Sequence, residues 1–179
     1  MKITAKVIKY ILMSKYRFTD GHMVCSECCG HGDSIADIIT YDLKKEAMME
    51  IEIKISKQDL KHDIKKMKHE IYRKKDLINI QKFYYAVPTF MVEYCKNYLE
   101  ENNLDYGVIE IIEEKVQEFV FDAYNDTAEL MKVVKRCKKF NNNSPLERQK
   151  HSFFSRLSTE VVARSRELLQ IDIKNEVEQ

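Results

Sequence analysis

Along Ala47 to Ile55 the chain alternates strictly: Met49, Ile51, Ile53 and Ile55 are apolar, and Glu50, Glu52 and Lys54 lie between them. A period of two is that of a β-strand, so the segment predicts a strand with one apolar and one charged face. Upstream, Met23 to Cys29 and Ser34 to Tyr41 read as two extended runs joined by Gly30-His31-Gly32-Asp33, a turn composition that predicts a hairpin. A second turn at Asp42 to Lys45 leads from that hairpin into the alternating strand.

Elsewhere the period is helical. Met1 to Lys15 places Ile3, Val7, Tyr10, Ile11 and Met13 against Lys2, Lys6 and Lys9, the pattern of an amphipathic helix and not of a signal peptide. From Lys57 to Lys75 the spacing of Leu60, Ile64, Met67 and Ile71 predicts one helix, with Ser56 and Asp59 near its start in an approximate capping-box relation. Lys82 to Val87 is aromatic and β-rich and is closed by Pro88. Thr89 to Asn102 is helical through Val92, Cys95 and Leu99, and Tyr106 to Ile112 reads as a strand.

Beyond residue 114 the pattern predicts a strand at Glu118 to Phe121 and a helix from about Thr127 to Phe140. A break follows at Asn141-Asn142-Asn143-Ser144-Pro145, and then a long helix to about Gln170. In that last helix Leu146, Phe153, Phe154, Leu157, Val161 and Leu168 share a stripe, with Arg148, Lys150, Arg156, Arg164 and Arg166 largely off it. Strands interleaved with helices imply an α/β fold with a mixed central sheet. The expected organisation is a core over 1-114 and a mainly helical extension over 115-179.

Composition narrows the classes. With 179 residues, 44% hydrophobic and 33% charged, the chain can bury a core, and disorder is not its default. No run of about 18 apolar residues could cross a bilayer. Five cysteines, three of them at Cys25, Cys28 and Cys29, argue against a secreted disulfide framework and for a reducing, cytoplasmic compartment. Cys25, Cys28, Cys29 and His31 invite a zinc reading, but no second ligand pair stands at matched spacing. A net charge of +1 carries no global signal for nucleic acid, so that case rests on local clusters.

The chemistry concentrates at Asp37, Glu52 and Lys54. A solvated face would explain Glu50, Glu52 and Lys54 alone. Asp37, however, interrupts the apolar run Ile35-Ala36-Asp37-Ile38-Ile39, where an unpartnered carboxylate is costly. Carboxylates on neighbouring strands supply hard oxygen ligands for Mg²⁺, which is commonly held by one or two of them together with waters and substrate phosphate. Lys54, two residues after Glu52, reaches the same side, where it could position or deprotonate a metal-bound water or neutralise an attacked phosphate.

Asp37 followed by Glu52-Ile53-Lys54 resembles the PD-(D/E)XK nuclease superfamily, with Ala36 where the family name has proline. The surrounding segments, Glu50-Ile51-Glu52-Ile53-Lys54-Ile55-Ser56 with Asp59 and Lys82-Phe83-Tyr84-Tyr85-Ala86-Val87-Pro88, look like its MmcB-like DNA-repair branch over roughly residues 1-140. The resemblance implies a restriction-endonuclease-like αβββαβ core with added C-terminal helices. It further implies Mg²⁺ (or Mn²⁺) on Asp37 and Glu52, a catalytic Lys54, Glu27 as a further ligand, and DNA as the partner of a homodimer. The expected activity is metal-dependent DNA hydrolysis in repair. The alternatives are a non-catalytic DNA-binding accessory protein that retains the fold, and a protein-interaction module.

Lys57 to Lys75 carries eight basic against three acidic residues directly after Lys54, which favours phosphate contact through Lys57, Lys61, Lys65 and Lys68. His62 and His69 on the same segment receive no role. Of Tyr84 and Tyr85, which could stack on unpaired bases, one is expected in the core.

Overall fold

The computed structural model describes residues 3–17, 19–29, 34–74, 80–119 and 127–177, with the backbone alone at 29 and 164–177. Helix α1 (Ala5–Arg17) precedes three strands, β1 (His22–Cys29), β2 (Ile35–Asp42) and β3 (Ala47–Ile53). Two short helices, α2 (Lys57–Asp63) and α3 (Met67–Arg73), then lead to β4 (Lys82–Pro88), α4 (Val92–Glu101), β5 (Gly107–Ile111) and α5 (Glu113–Glu118). The chain ends with β6 (Met131–Lys135) and α6 (Glu147–Val177).

The six strands of the described residues form one mixed sheet in chain order. β1, β2 and β3 run antiparallel as a meander, β3, β4 and β5 run parallel, and β6 returns antiparallel to β5. Parallel neighbours require a crossover, which α2 with α3 supplies between β3 and β4, and α4 between β4 and β5. The protein is thus an α/β fold.

Strand register sorts the residues into faces, because directly paired positions share one. Glu50 lies between Ile39 and Phe83, and Glu52 beside Tyr85, so these residues and Tyr41 occupy a common face. The opposite face presents Ile38, Ile51, Ile53, Ala86 and Ile109, all buried. The charged side of β3 is not solvated: Glu50 and Glu52 are at most 2% exposed and Lys54 is 4% exposed.

Several sequence expectations are corrected. The buried residues of α1 are Ile8, Ile11, Leu12 and Ser14, and Tyr10 is exposed, because the helix turns a slightly different stripe toward β1, β2 and β3. Glu113–Glu118 is helical, and only Phe119 of the strand expected nearby is both described and extended. The helix expected over Thr127 to Phe140 is a 3-10 turn at Ala128–Leu130 followed by β6. There the open backbone edge of β5 is satisfied by a strand, and tertiary pairing overrides local propensity. A boundary at residue 114 would therefore cut the sheet between β5 and β6.

The long C-terminal helix docks by its first turns. Phe153 is fully buried, with its ring 6.0 Å from Tyr41, and Leu157 is half-buried, while Leu146, Phe154 and Val161 stay exposed. Arg156 and Glu160 reach the outer strand β1: Arg156 Nε donates to the Ser26 carbonyl (2.9 Å), and Glu160 Oε1 accepts from the Ser26 N–H (2.8 Å) and hydroxyl. Arg156, expected on the basic outer side, is thus part of the docking contact.

Candidate active site

The end of β3 carries the site. Beyond Ile53, the Lys54 N–H donates to the Ala86 carbonyl at 3.0 Å, which ties the lysine's backbone to β4. The Lys54 ammonium donates to Glu52 Oε2 at 3.1 Å and lies 3.2 Å from Asp63 and 3.8 Å from Asp59. Asp63 and Asp59 belong to α2, whose N-cap Ser56 accepts from the Asp59 N–H at 3.2 Å. The helix following the Glu-Ile-Lys strand therefore folds its acidic residues back over Lys54.

The segment expected to form one helix breaks after Asp63, and Lys66 starts the next from an extended conformation. The break rotates the buried stripe. Met67, expected inward, is 74% exposed, while Lys68, His69 and Tyr72 turn inside. Lys66 spans the break, its ammonium 2.6 Å from Asp63.

Lys68 is consequently no phosphate contact at the surface. Its ammonium donates to Glu52 Oε1 at 2.6 Å and Glu50 Oε1 at 2.9 Å, and lies 5.3 Å from the Phe83 ring centroid. Tyr72 donates its hydroxyl to Glu50 Oε2 at 2.5 Å. Asp63 Oδ2 accepts from Tyr85 at 2.8 Å and bonds His69 Nε2 at 3.0 Å, and His69 Nδ1 bonds the Tyr106 hydroxyl at 2.9 Å. A carboxylate only accepts, so Nε2 carries the imidazole proton and Nδ1 accepts from Tyr106.

Burial and pairing set the charges. Desolvation would lower the Lys54 ammonium, but Glu52 and Asp63 outweigh it and raise its pKa above the ordinary lysine value. Lys68 is raised likewise, against its own desolvation, by Glu50 and Glu52. Burial pushes Asp63 up, yet the His69 hydrogen bond and the two lysines bring it far below the usual carboxylate range. Glu50 is raised by burial despite Lys68. His69 is lowered by burial, which exceeds the opposing pull of Asp63, so it is neutral at pH 7. With its pKa raised in this way, Lys54 is a cation at neutral pH.

Asp37 sits one step past the last β2–β3 pair, Ile38 opposite Ile51, on the face of Glu52. It is half-buried, and its Oδ2 accepts the Ile53 N–H at 2.8 Å. Oδ1 has no hydrogen-bond partner among the described residues. The structure thus brings Asp37, Glu52 and Lys54 to one end of β3. Among the described residues no group of three or more His, Cys, Asp or Glu side chains is arranged to hold a metal ion.

The other expected residues lie elsewhere. Glu27 is exposed, with φ at +49°, and pairs with Lys9 at 3.0 Å and Arg156 at 3.5 Å, so it does not converge on Asp37 and Glu52. Lys57, Lys61 and Lys65 are exposed, and Lys57 lies 4.8 Å from the Tyr94 ring centroid. Cys25 and Cys28 are buried, and the Cys29 side chain and His31 lie outside the described residues. Tyr84 and Tyr85 are both buried. The sequence reading missed Glu50, Asp63, Lys68, His69 and Tyr72 as members of the network. The i, i+4 spacing of Lys68 and Tyr72, which places both on one helical face, was the available signal.

No family model matches the chain, and no curated protein matches it. A solved structure, the SPO1766 protein of unknown function from Silicibacter pomeroyi, is similar over 96% of each chain, with 14% identity and a TM-score of 0.58. At that identity the likeness shows a shared α/β fold. Among the described residues, no helix is long and apolar enough to cross a membrane.

Proposed function

We propose that the protein is a metal-dependent DNA nuclease of the PD-(D/E)XK type, with Asp37 and Glu52 as ligands of one Mg²⁺ or Mn²⁺ ion and Lys54 as the catalytic cation. The observation that carries this reading is the convergence of Asp37, Glu52 and Lys54 at the end of β3, two of them almost wholly buried. Buried charges are costly unless geometry compensates them, so a surface-only role for the strand explains them poorly. The order of one helix, three antiparallel strands, a helical crossover and a parallel strand also supports a restriction-endonuclease-like αβββαβ core.

Two carboxylates fit one hard dication whose coordination is completed by water and phosphate. When bound, such an ion polarises the phosphoryl group and lowers the pKa of its water. The chain's own contribution is placement. Asp37 is fixed by the Ile53 N–H. Glu52 is oriented by two ammonium groups. Lys54, clamped by Glu52 and Asp63, offers positive charge where an attacked phosphate gains negative charge. Lys57, Lys61 and Lys65 supply sequence-independent phosphate contacts beside it. DNA repair is the setting in which we place the activity.

A non-catalytic, DNA-binding repair accessory is favoured by one observation: both oxygens of Glu52 already accept from lysines. The deciding experiment compares wild type with Lys54→Ala on supercoiled, single-stranded and forked DNA in Mg²⁺, Mn²⁺ or chelator. Metal-dependent cutting by the wild type alone supports the nuclease. DNA binding without cutting in either protein supports the accessory role.

A further inference from the structure

Lys68 places a cation between two buried carboxylates. Its ammonium, 1% exposed, is 2.6 Å from Glu52 Oε1 and 2.9 Å from Glu50 Oε1, and the far oxygen of Glu50 is held by Tyr72. The wall behind it is aromatic: the Phe83 ring lies 5.6 Å from that of Tyr72 and 4.6 Å from that of Tyr106. Two buried carboxylate oxygens converging on one point define a cation site whatever fills it. A lysine reaching in from α3 fills it here.

We propose that Lys68 is a resident cation that takes the place of a second divalent ion between Glu50 and Glu52, so that the site holds at most the one ion shared by Asp37 and Glu52. The one-ion limit rests on the nuclease reading, whereas the occupancy of the Glu50–Glu52 site by Lys68 does not. The chemistry follows from charge and geometry. Mg²⁺ and Mn²⁺ demand close oxygen ligands and shed water reluctantly, and an ammonium tethered at hydrogen-bond distance from both oxygens excludes them at no cost in dehydration of a free ion. The break between α2 and α3 is what makes this reach available, since an unbroken helix over 57–75 would turn Met67 inward in its place.

The test removes the tether and asks whether a free dication replaces it. Lys68→Ala is purified metal-free and titrated with Mn²⁺, with bound ion counted by electron paramagnetic resonance and the melting temperature followed in parallel. The expected result is one more bound Mn²⁺ than wild type and a melting temperature that rises with Mn²⁺ in the variant far more than in wild type. The double variant Glu50→Gln/Lys68→Met, which removes a negative charge along with the positive one, is expected to fold without metal and gain no ion. An unchanged Mn²⁺ count in a folded Lys68→Ala protein overturns the proposal. So does a Lys68→Ala protein that stays unfolded at every Mn²⁺ concentration while the double variant folds. Neither readout requires DNA cleavage, so loss of the nuclease reading would show separately, as wild type that never cuts.

Discussion

Glu52 and Lys68, 16 residues apart in the chain, meet at 2.6 Å inside the protein, where each side chain is at most 3% exposed. This contact joins the strand that carries the candidate catalytic residues to the helix that follows it, and it fixes the orientation of Glu52. The two lysines around Glu52 differ in consequence. Lys54 shares its charge with buried Asp63 and exposed Asp59, whereas Lys68 is enclosed between Glu50 and Glu52.

Lys54 is accordingly expected to be separable into stability and activity. Replacing it with alanine leaves Glu52 and Asp63 short of a buried partner, and breaking such a pair costs roughly 3–5 kcal/mol. Lys54→Arg keeps the charge but places it differently, because the guanidinium is a planar fork and not a point charge. The expectation is that Lys54→Arg recovers most of the denaturant-unfolding stability lost in Lys54→Ala while metal-dependent cleavage stays far below wild type. Cleavage at the wild-type rate in either variant would refute the catalytic assignment.

The pH dependence of stability should carry the signature of His69. Its folded-state pKa lies below the unfolded value of about 6.5, so below that pH the unfolded chain takes up a proton that the native protein refuses. Stability therefore falls as pH drops from about 6.5 toward the folded-state value, with a slope of up to about 1.4 kcal/mol per pH unit from this one group. Asp63 acts at lower pH: its depressed pKa contributes stability above about 3.9 that is lost as pH falls through the folded value. Urea unfolding of wild type and His69→Gln between pH 5 and 8 should show a shallower slope in the variant. Parallel slopes would mean that His69 is not held neutral.

How much of this was legible in the sequence depends on which force decided each element. Periodicity revealed β2, β3 and β4, because their patterns directly record burial. It also located Asp37, Glu52 and Lys54, since charged residues in an apolar or alternating strand stand out. It failed over 57–75, where Leu60, Ile64, Met67 and Ile71 keep a helical period although the helix breaks after Asp63. There Lys68 turns inward to pair with two buried glutamates and Met67 turns outward, a non-local arrangement that no window of the sequence contains. It failed again at β6, where the free edge of β5 selected a strand. Glu27 follows from the family resemblance and Lys68 from its place in a basic segment, and both serve ion pairs within the protein.

The close approach of Gly107 and Tyr84 gives a prediction independent of the site. A Cβ at Gly107 would lie 2.1 Å from Tyr84 Cε1, on paired strands β5 and β4. Tyr84 is buried and its hydroxyl accepts from the Cys137 N–H at 3.3 Å, a contact the ring would lose by withdrawing. Gly107→Ala should destabilise by about 1–3 kcal/mol through overpacking. Gly107→Ala/Tyr84→Leu should cost less than the sum of the two single substitutions. Additive losses in chemical denaturation would show that the ring moves aside freely.

The exposed lysines of α2 and the following turn should govern salt dependence without governing chemistry. If Lys57, Lys61 and Lys65 each neutralise one phosphate, replacing all three with glutamine removes about 2–3 from the slope of log affinity against log salt, at roughly 0.7–0.9 per contact. The same loss should appear on every DNA sequence, because phosphate contacts carry no base information. Fluorescence anisotropy across a salt series measures it. An unchanged slope would place the DNA on another surface.

The docking of α6 on β1 has a consequence for aggregation. β1 is the outer strand of the sheet, and such an edge offers unpaired backbone groups to other chains. At Ser26 those groups are occupied from within: the carbonyl by Arg156 and the N–H by Glu160. Because Glu160 also accepts from the Ser26 hydroxyl, Ser26→Ala removes only part of the contact, whereas Glu160→Ala leaves the backbone N–H without a partner. Glu160→Ala/Arg156→Ala should therefore expose the Ser26 amide to hydrogen exchange while leaving exchange at β4 slow. It should also raise concentration-dependent association measured by light scattering, with Ser26→Ala intermediate. Unaltered exchange at Ser26 in the double variant would show that Phe153 and its apolar neighbours hold α6 in place without the polar pair.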